Sequence, residues 1–174
     1  MSPLPRVSSL TRERLSRELD ERGPDVCRTE FALELRADNP ELLDMAIRCA
    51  HDVGGPVASQ QVMNGFLFFY RLLSNEARSA AGMSPKSAGV PTLSLLPRVS
   101  AETRAAMVKR IDALGPDEFT RQATAEMERG NPELLVMAHD FATEQRNYIG
   151  IMQGFALLYA SLLEESLTKG GPLH

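Results

Sequence analysis

Most of this chain is written twice. Leu4-Pro5-Arg6-Val7-Ser8 returns as Leu96-Pro97-Arg98-Val99-Ser100, and Gly23-Pro24-Asp25 as Gly115-Pro116-Asp117. Asn39-Pro40-Glu41-Leu42-Leu43 returns as Asn131-Pro132-Glu133-Leu134-Leu135. Met63, Gly65, Phe66 and Tyr70 return as Met152, Gly154, Phe155 and Tyr159. The offset is 92 residues through three segments and 89 in the fourth, after a three-residue shortening. Roughly two positions in five are identical along the aligned stretch, the mark of a tandem duplication. Each copy must therefore fold by the same rules, and the two copies can pack as symmetry-related partners.

Those rules read as helical. In the first segment Leu15 and Leu19 match Met107 and Ile111, an i, i+4 apolar stripe. Ser8 or Ser9 and Ser100 stand where an N-cap is needed, and Gly23 and Gly115 where a helix stops. In the second segment Asp25 and Asp117 are read as caps. Its stripe is Cys27, Phe31, Leu35 in one copy and Phe119, Ala123, Met127 in the other, all four apart. The third opens on Asn-Pro-Glu, with Asn as cap, Pro in the first turn and Glu at the positive helix end.

The fourth segment is the most hydrophobic, apolar over much of its circumference, so it is expected at the centre of the bundle. A glycine sits inside it in both copies, Gly65 and Gly154. Mid-helix glycine costs about 1 kcal/mol relative to alanine. Its recurrence predicts a close helix crossing, with the other copy's fourth helix as the partner.

The fold expected is all-α: a tandem duplication of a four-helix unit, about eight helices, arranged as a pseudo-twofold bundle with both fourth helices central. The first repeat spans residues 4–77 and the second 96–168. Between them residues 78–95 are rich in Gly, Pro and Ser and read as an extended, mobile linker. The two repeats can share one globular unit.

Composition excludes several functional classes. Net charge is −4 and neither half is basic, so no strong electrostatic footprint for nucleic acid is present. A nucleic-acid-associated regulator, for example through Arg12, Arg14 and Arg17, stays as an alternative reading. The N-terminus lacks an apolar signal core and no apolar run reaches membrane-spanning length, which reads as a cytoplasmic protein. The two cysteines, Cys27 and Cys49, are replaced by Phe119 and Phe141 in the second copy. Exchange with Phe marks apolar, buried positions rather than a redox or metal site.

No catalytic constellation stands out. His51-Asp52 and His139-Asp140 echo one another, but at an offset of 88, out of register with the repeat. Three histidines in all leave no pool of metal ligands. Glu-x-x-His, Cys-x-x-Cys, a phosphate-cradling glycine loop and a Gly-x-Ser-x-Gly elbow are missing. The expectation is a non-enzymatic helical adaptor or regulatory protein that binds another protein, with no cofactor and no metal.

Two sets of residues are candidates for contact. The copies diverge most before the fourth helix, where Arg146, Asn147 and Tyr148 are read as a partner-binding loop. Gly65, Phe66, Tyr70, Gly154, Phe155 and Tyr159 are read as an inter-repeat pocket or as packing. The pocket reading would make the chain a small-molecule-sensing bundle. A monomer with internal pseudo-symmetry is favoured, with a homodimer as the alternative.

Overall fold

A computed structural model describes residues 4–52, 54–83, 95–145 and 147–169. Among these, eight helices follow one another: α1 (Ser9–Arg22), α2 (Pro24–Asp38), α3 (Pro40–Asp52), α4 (Pro56–Ala80), α5 (Ala101–Leu114), α6 (Pro116–Gly130), α7 (Pro132–Glu144) and α8 (Tyr148–Lys169). No strand occurs among the described residues.

The boundaries follow the sequence punctuation with two corrections. Ser8 and Ser100 cap α1 and α5, their hydroxyls accepting from Thr11 N at 3.3 Å and Thr103 N at 3.1 Å. Asp25 and Asp117, however, are not the caps of α2 and α6. Gly23 and Gly115 hold that place at φ of 87° and 86°, and Pro24 and Pro116 open the helices. One glycine thus ends a helix and begins the next. Only glycine reaches positive φ cheaply, and proline's fixed φ suits the first helical position. The aspartates fall in the first turn, where a carboxylate meets the positive end of the helix.

The second correction concerns Asn39 and Asn131. Both stand before their helices as read, but the Asn131 side chain makes no cap bond to α7. The two carboxamides instead reach into the opposite half. Asn39 Oδ1 accepts from Val99 N at 2.8 Å, and its Nδ2 donates to Pro97 O at 2.8 Å. Asn131 Oδ1 accepts from Val7 N at 3.0 Å, and its Nδ2 donates to Pro5 O at 2.7 Å. The residue after each clamped valine is then held from its own half. Ser8 N donates to Glu76 Oε1 at 2.8 Å and Ser100 N to Glu165 Oε1 at 2.7 Å.

Of the expected linker, residues 78–80 complete α4, and residues 84–94 lie outside the described residues. Helix α4 packs on α1, α2 and α3, and α8 on α5, α6 and α7; α4 and α8 also pack on each other, and α3 touches both α5 and α8. The buried side chains form one continuous core drawn from both halves. Each fully buried Leu or Phe in it contributes about 1.5–3 kcal/mol.

One buried residue breaks the apolar rule. Arg71, in the middle of α4, is buried, its side chain only 1% exposed. Its guanidinium lies 4.4 Å from the Phe31 ring centroid and pairs with Glu34 at 2.5 Å and Glu18 at 3.3 Å. The charge is thus matched at the point where α1, α2 and α4 meet. Burying an unpaired cation would cost several kcal/mol.

Candidate functional site

The residues read as a partner-binding loop turn out to serve the chain itself in part. The Asn147 side chain folds over the start of α8, where a Cβ added at Gly150 would meet its Oδ1 at 2.9 Å. Tyr148 is 45% exposed, but its ring stacks on His139 at 5.6 Å between centroids and its hydroxyl is hydrogen-bonded to His139 Nδ1. Arg146 lies outside the described residues. Arg12 is tied to Asp140 across the two halves at 3.2 Å, while Arg14 and Arg17 are exposed.

The six residues read as pocket or packing lie where α4 and α8 cross, and two of them, Gly65 and Phe155, also line a cleft. A Cβ on Gly65 would meet Phe155 Cε1 at 2.9 Å and Phe141 Cε2 at 3.2 Å. A Cβ on Gly154 would meet Val62 Cγ1 at 3.3 Å and Phe66 Cδ2 at 3.8 Å. Each glycine therefore admits the aromatic ring of the other half's long helix, which is the close crossing that the repeat predicted. Phe69 stacks on Phe155 with centroids 3.8 Å apart, and Phe66, Tyr70, Leu158 and Tyr159 are all buried. These side chains fill the crossing of α4 and α8 itself.

Open space lies in a pair of clefts between the halves, the smaller of them lined in part by Gly65, Phe69 and Phe155. One, of about 520 Å³, is bounded by α3, α5, α6 and α8. The other, of about 270 Å³, is bounded by α1, α4, α7 and α8. Their linings correspond in sequence register: Met45 with Met137, Cys49 with Phe141, Asp52 with Glu144, Arg104 with Arg12, Ile111 with Leu19. The Phe141 ring, edge-on to Phe68 at 5.9 Å, takes up room in the smaller cleft. The larger has the short Cys49 at that place. Burial, with the charge of Asp52 adding to it, pushes the Cys49 thiol up to about 11. At neutral pH it is therefore S–H, an apolar wall rather than a nucleophile.

A third groove, of about 500 Å³, runs between α2 and α4. Its floor is Ala32, Met63 and Leu67, and Leu33 stands at its edge 60% exposed. Arg28 and Arg36, two turns apart on α2, supply its charge. Arg28 is held by Asp25 at 2.7 Å and reaches Asn64 at 3.4 Å. Arg36 is exposed and, among the described residues, has no ion pair. At the corresponding places of the second half stand Ala125 for Leu33, Glu128 for Arg36 and Ile149 for Gln60. The sequence reading missed this groove, although the Arg36/Glu128 reversal was a visible signal.

No three His, Cys, Asp or Glu side chains gather as a metal site requires among the described residues, and no described helix is long and apolar enough to cross a membrane. Comparison of the chain with protein-family models, curated proteins and solved structures returns no match.

Proposed function

We propose that the chain is a fused internal dimer, a duplicated four-helix unit folded about a pseudo-twofold axis, which works as a non-enzymatic adaptor. Its partner is a protein that presents an acidic, amphipathic helix to the α2/α4 groove. The reciprocal bonds of Asn39 and Asn131, and the reciprocal Gly65–Phe155 and Gly154–Phe66 approaches, support the internal dimer. In a duplicated scaffold, a surface that differs between the halves is free of the scaffold's own demands.

The observation that carries the binding reading is the apolar α2/α4 groove with an exposed Leu33 and, on its edge, Arg36, which has no ion pair among the described residues. Arg28 and Arg36 are eight residues apart, about 12 Å along the helix. Two turns of a guest helix cover that distance, its Leu or Met side chains at i, i+3, i+4 and i+7 on the floor and its acids against the arginines. Exposed charge pairs of this kind set partner choice and on-rate more than raw affinity.

The test is co-purification from the native cell with the double variant Leu33→Asp/Arg36→Glu. Both side chains are exposed, so the fold is expected to be unaffected. Loss of the partner at an unchanged melting temperature supports the reading. Retention of every partner that the unmodified protein captures removes the groove from consideration.

A further inference from the structure

We infer that the larger inter-half cleft, between α3, α5, α6 and α8, is a binding site for a small amphipathic anion, a molecule with an apolar body and one carboxylate or similar acidic end. The site is separate from the α2/α4 groove and does not depend on the adaptor reading. Its volume of about 520 Å³ lies within the range of about 300–1,000 Å³ typical of small-molecule sites. The walls are apolar, from Met45, Cys49, Ile111, Phe119 and Leu157.

The two clefts differ at the positions that decide size and charge. Arg48-Cys49 in the larger stands where Asp140-Phe141 stands in the smaller. In the smaller cleft the Phe141 ring fills space and Asp140 is paired with Arg12. In the larger cleft the thiol leaves that space open. Arg104, at the place of Arg12, is paired with Glu41 at 2.9 Å and with Asp44. Arg48 is exposed and makes no ion pair among the described residues. Asp52 and Asp112 also line this cleft, so a cation is the competing occupant. Asp52 has its acidic counterpart in Glu144 of the smaller cleft, whereas Arg48 faces an acid in register. What sets the larger cleft apart is thus added room and an added cation, and an apolar anion uses both.

The probe is 1-anilinonaphthalene-8-sulfonate, whose emission rises when its rings leave water, titrated into the full chain. One saturable site per chain is expected, displaced by decanoate and not by decylamine. Arg48→Asp and Cys49→Phe are each expected to weaken the dye at least tenfold, with melting temperatures within a few degrees of the parent. The chain already accommodates Phe at the register of Cys49, and Arg48 is exposed, so neither change threatens the fold. Arg36→Glu, in the α2/α4 groove, is expected to leave the dye unaffected. Absence of saturable binding, indifference to Arg48→Asp, loss on Arg36→Glu, or equal displacement by decylamine would each overturn the assignment.

Discussion

Asn39 accepts a hydrogen bond from the Val99 N–H at 2.8 Å, joining residues 60 positions apart, and Asn131 does the same for Val7 at 3.0 Å. Both asparagines are almost completely buried. Each also donates to the carbonyl of the proline two residues before its valine. Four backbone groups that enter the core ahead of α1 and α5 are thereby satisfied by two side chains. A buried backbone group left unpaired costs about 1–3 kcal/mol. Asn39→Ala is therefore expected to destabilise the chain by about 2–4 kcal/mol. Asn39→Asp is expected to fare little better, because a carboxylate would face the Pro97 carbonyl. Urea unfolding midpoints check both.

The glycine crossing gives an asymmetric expectation. Alanine at Gly65 would place its Cβ 2.9–3.0 Å from the Phe155 ring, which is itself stacked on Phe69. Overpacking of this kind costs about 1–3 kcal/mol. Alanine at Gly154 meets Val62 at 3.3 Å, a milder approach, and gains helix propensity of about 1 kcal/mol. Gly65→Ala is expected to lower the melting temperature clearly and Gly154→Ala to change it little. Equal loss at both positions would contradict the geometry.

The all-helical fold was legible in the sequence because its signals are local. Caps, helix-ending glycines and i, i+4 stripes act within a few residues, and the recurrence of Gly65 and Gly154 pointed to a close crossing. The clamp was not legible. Asn39 looked like a helix cap, and its actual partners, Pro97 and Val99, lie in the other half, which a local rule cannot reach. Glu76 and Glu165 repeat in register at the end of an apolar helix, a signal that could have been read and was not. Arg71 gave no warning at all. Its partners Glu18 and Glu34 lie on α1 and α2, and their approach is what matches its charge inside. The exchange of Cys49 for Phe141 marked both positions as apolar, but that it opens one cleft and narrows the other depends on which helices surround it.

Cys49 links the larger cleft to pH. Its pKa rises from the ordinary 9.0 to about 11, chiefly by burial. Below pH 9 the thiol is protonated folded and unfolded alike, and its neutral form is retained in full. As pH rises through 9 the unfolded chain releases the proton and the folded chain does not, so stability falls until about pH 11. The loss is about 2–3 kcal/mol. The difference in unfolding free energy between the parent and Cys49→Ala, followed from pH 8 to pH 11, isolates this contribution. Both thiols are raised, Cys27 also by burial, so at pH 8 each is expected to react with a disulfide reagent more slowly than free cysteine.

Arg71 is expected to tolerate a change of chemistry better than a loss of volume. Arg71→Ala removes the partner of Glu34 and Glu18 and leaves a cavity beside Phe31. It is expected to cost about 3–5 kcal/mol. Arg71→Met keeps the packing on Phe31, and the two glutamates, each about one-fifth exposed, can turn toward water. The expected cost is about half as large, read as the difference in urea midpoint between the two variants.

The adaptor reading is tested most directly by a photo-activated cross-linker placed at position 33 and, in a second protein, at position 125, its counterpart in the other half. Both are activated in the native cell. A single protein joined through an acidic, amphipathic helical segment at position 33, and not at position 125, is the predicted result. Cross-links of equal yield at both positions, or none at position 33, would contradict it.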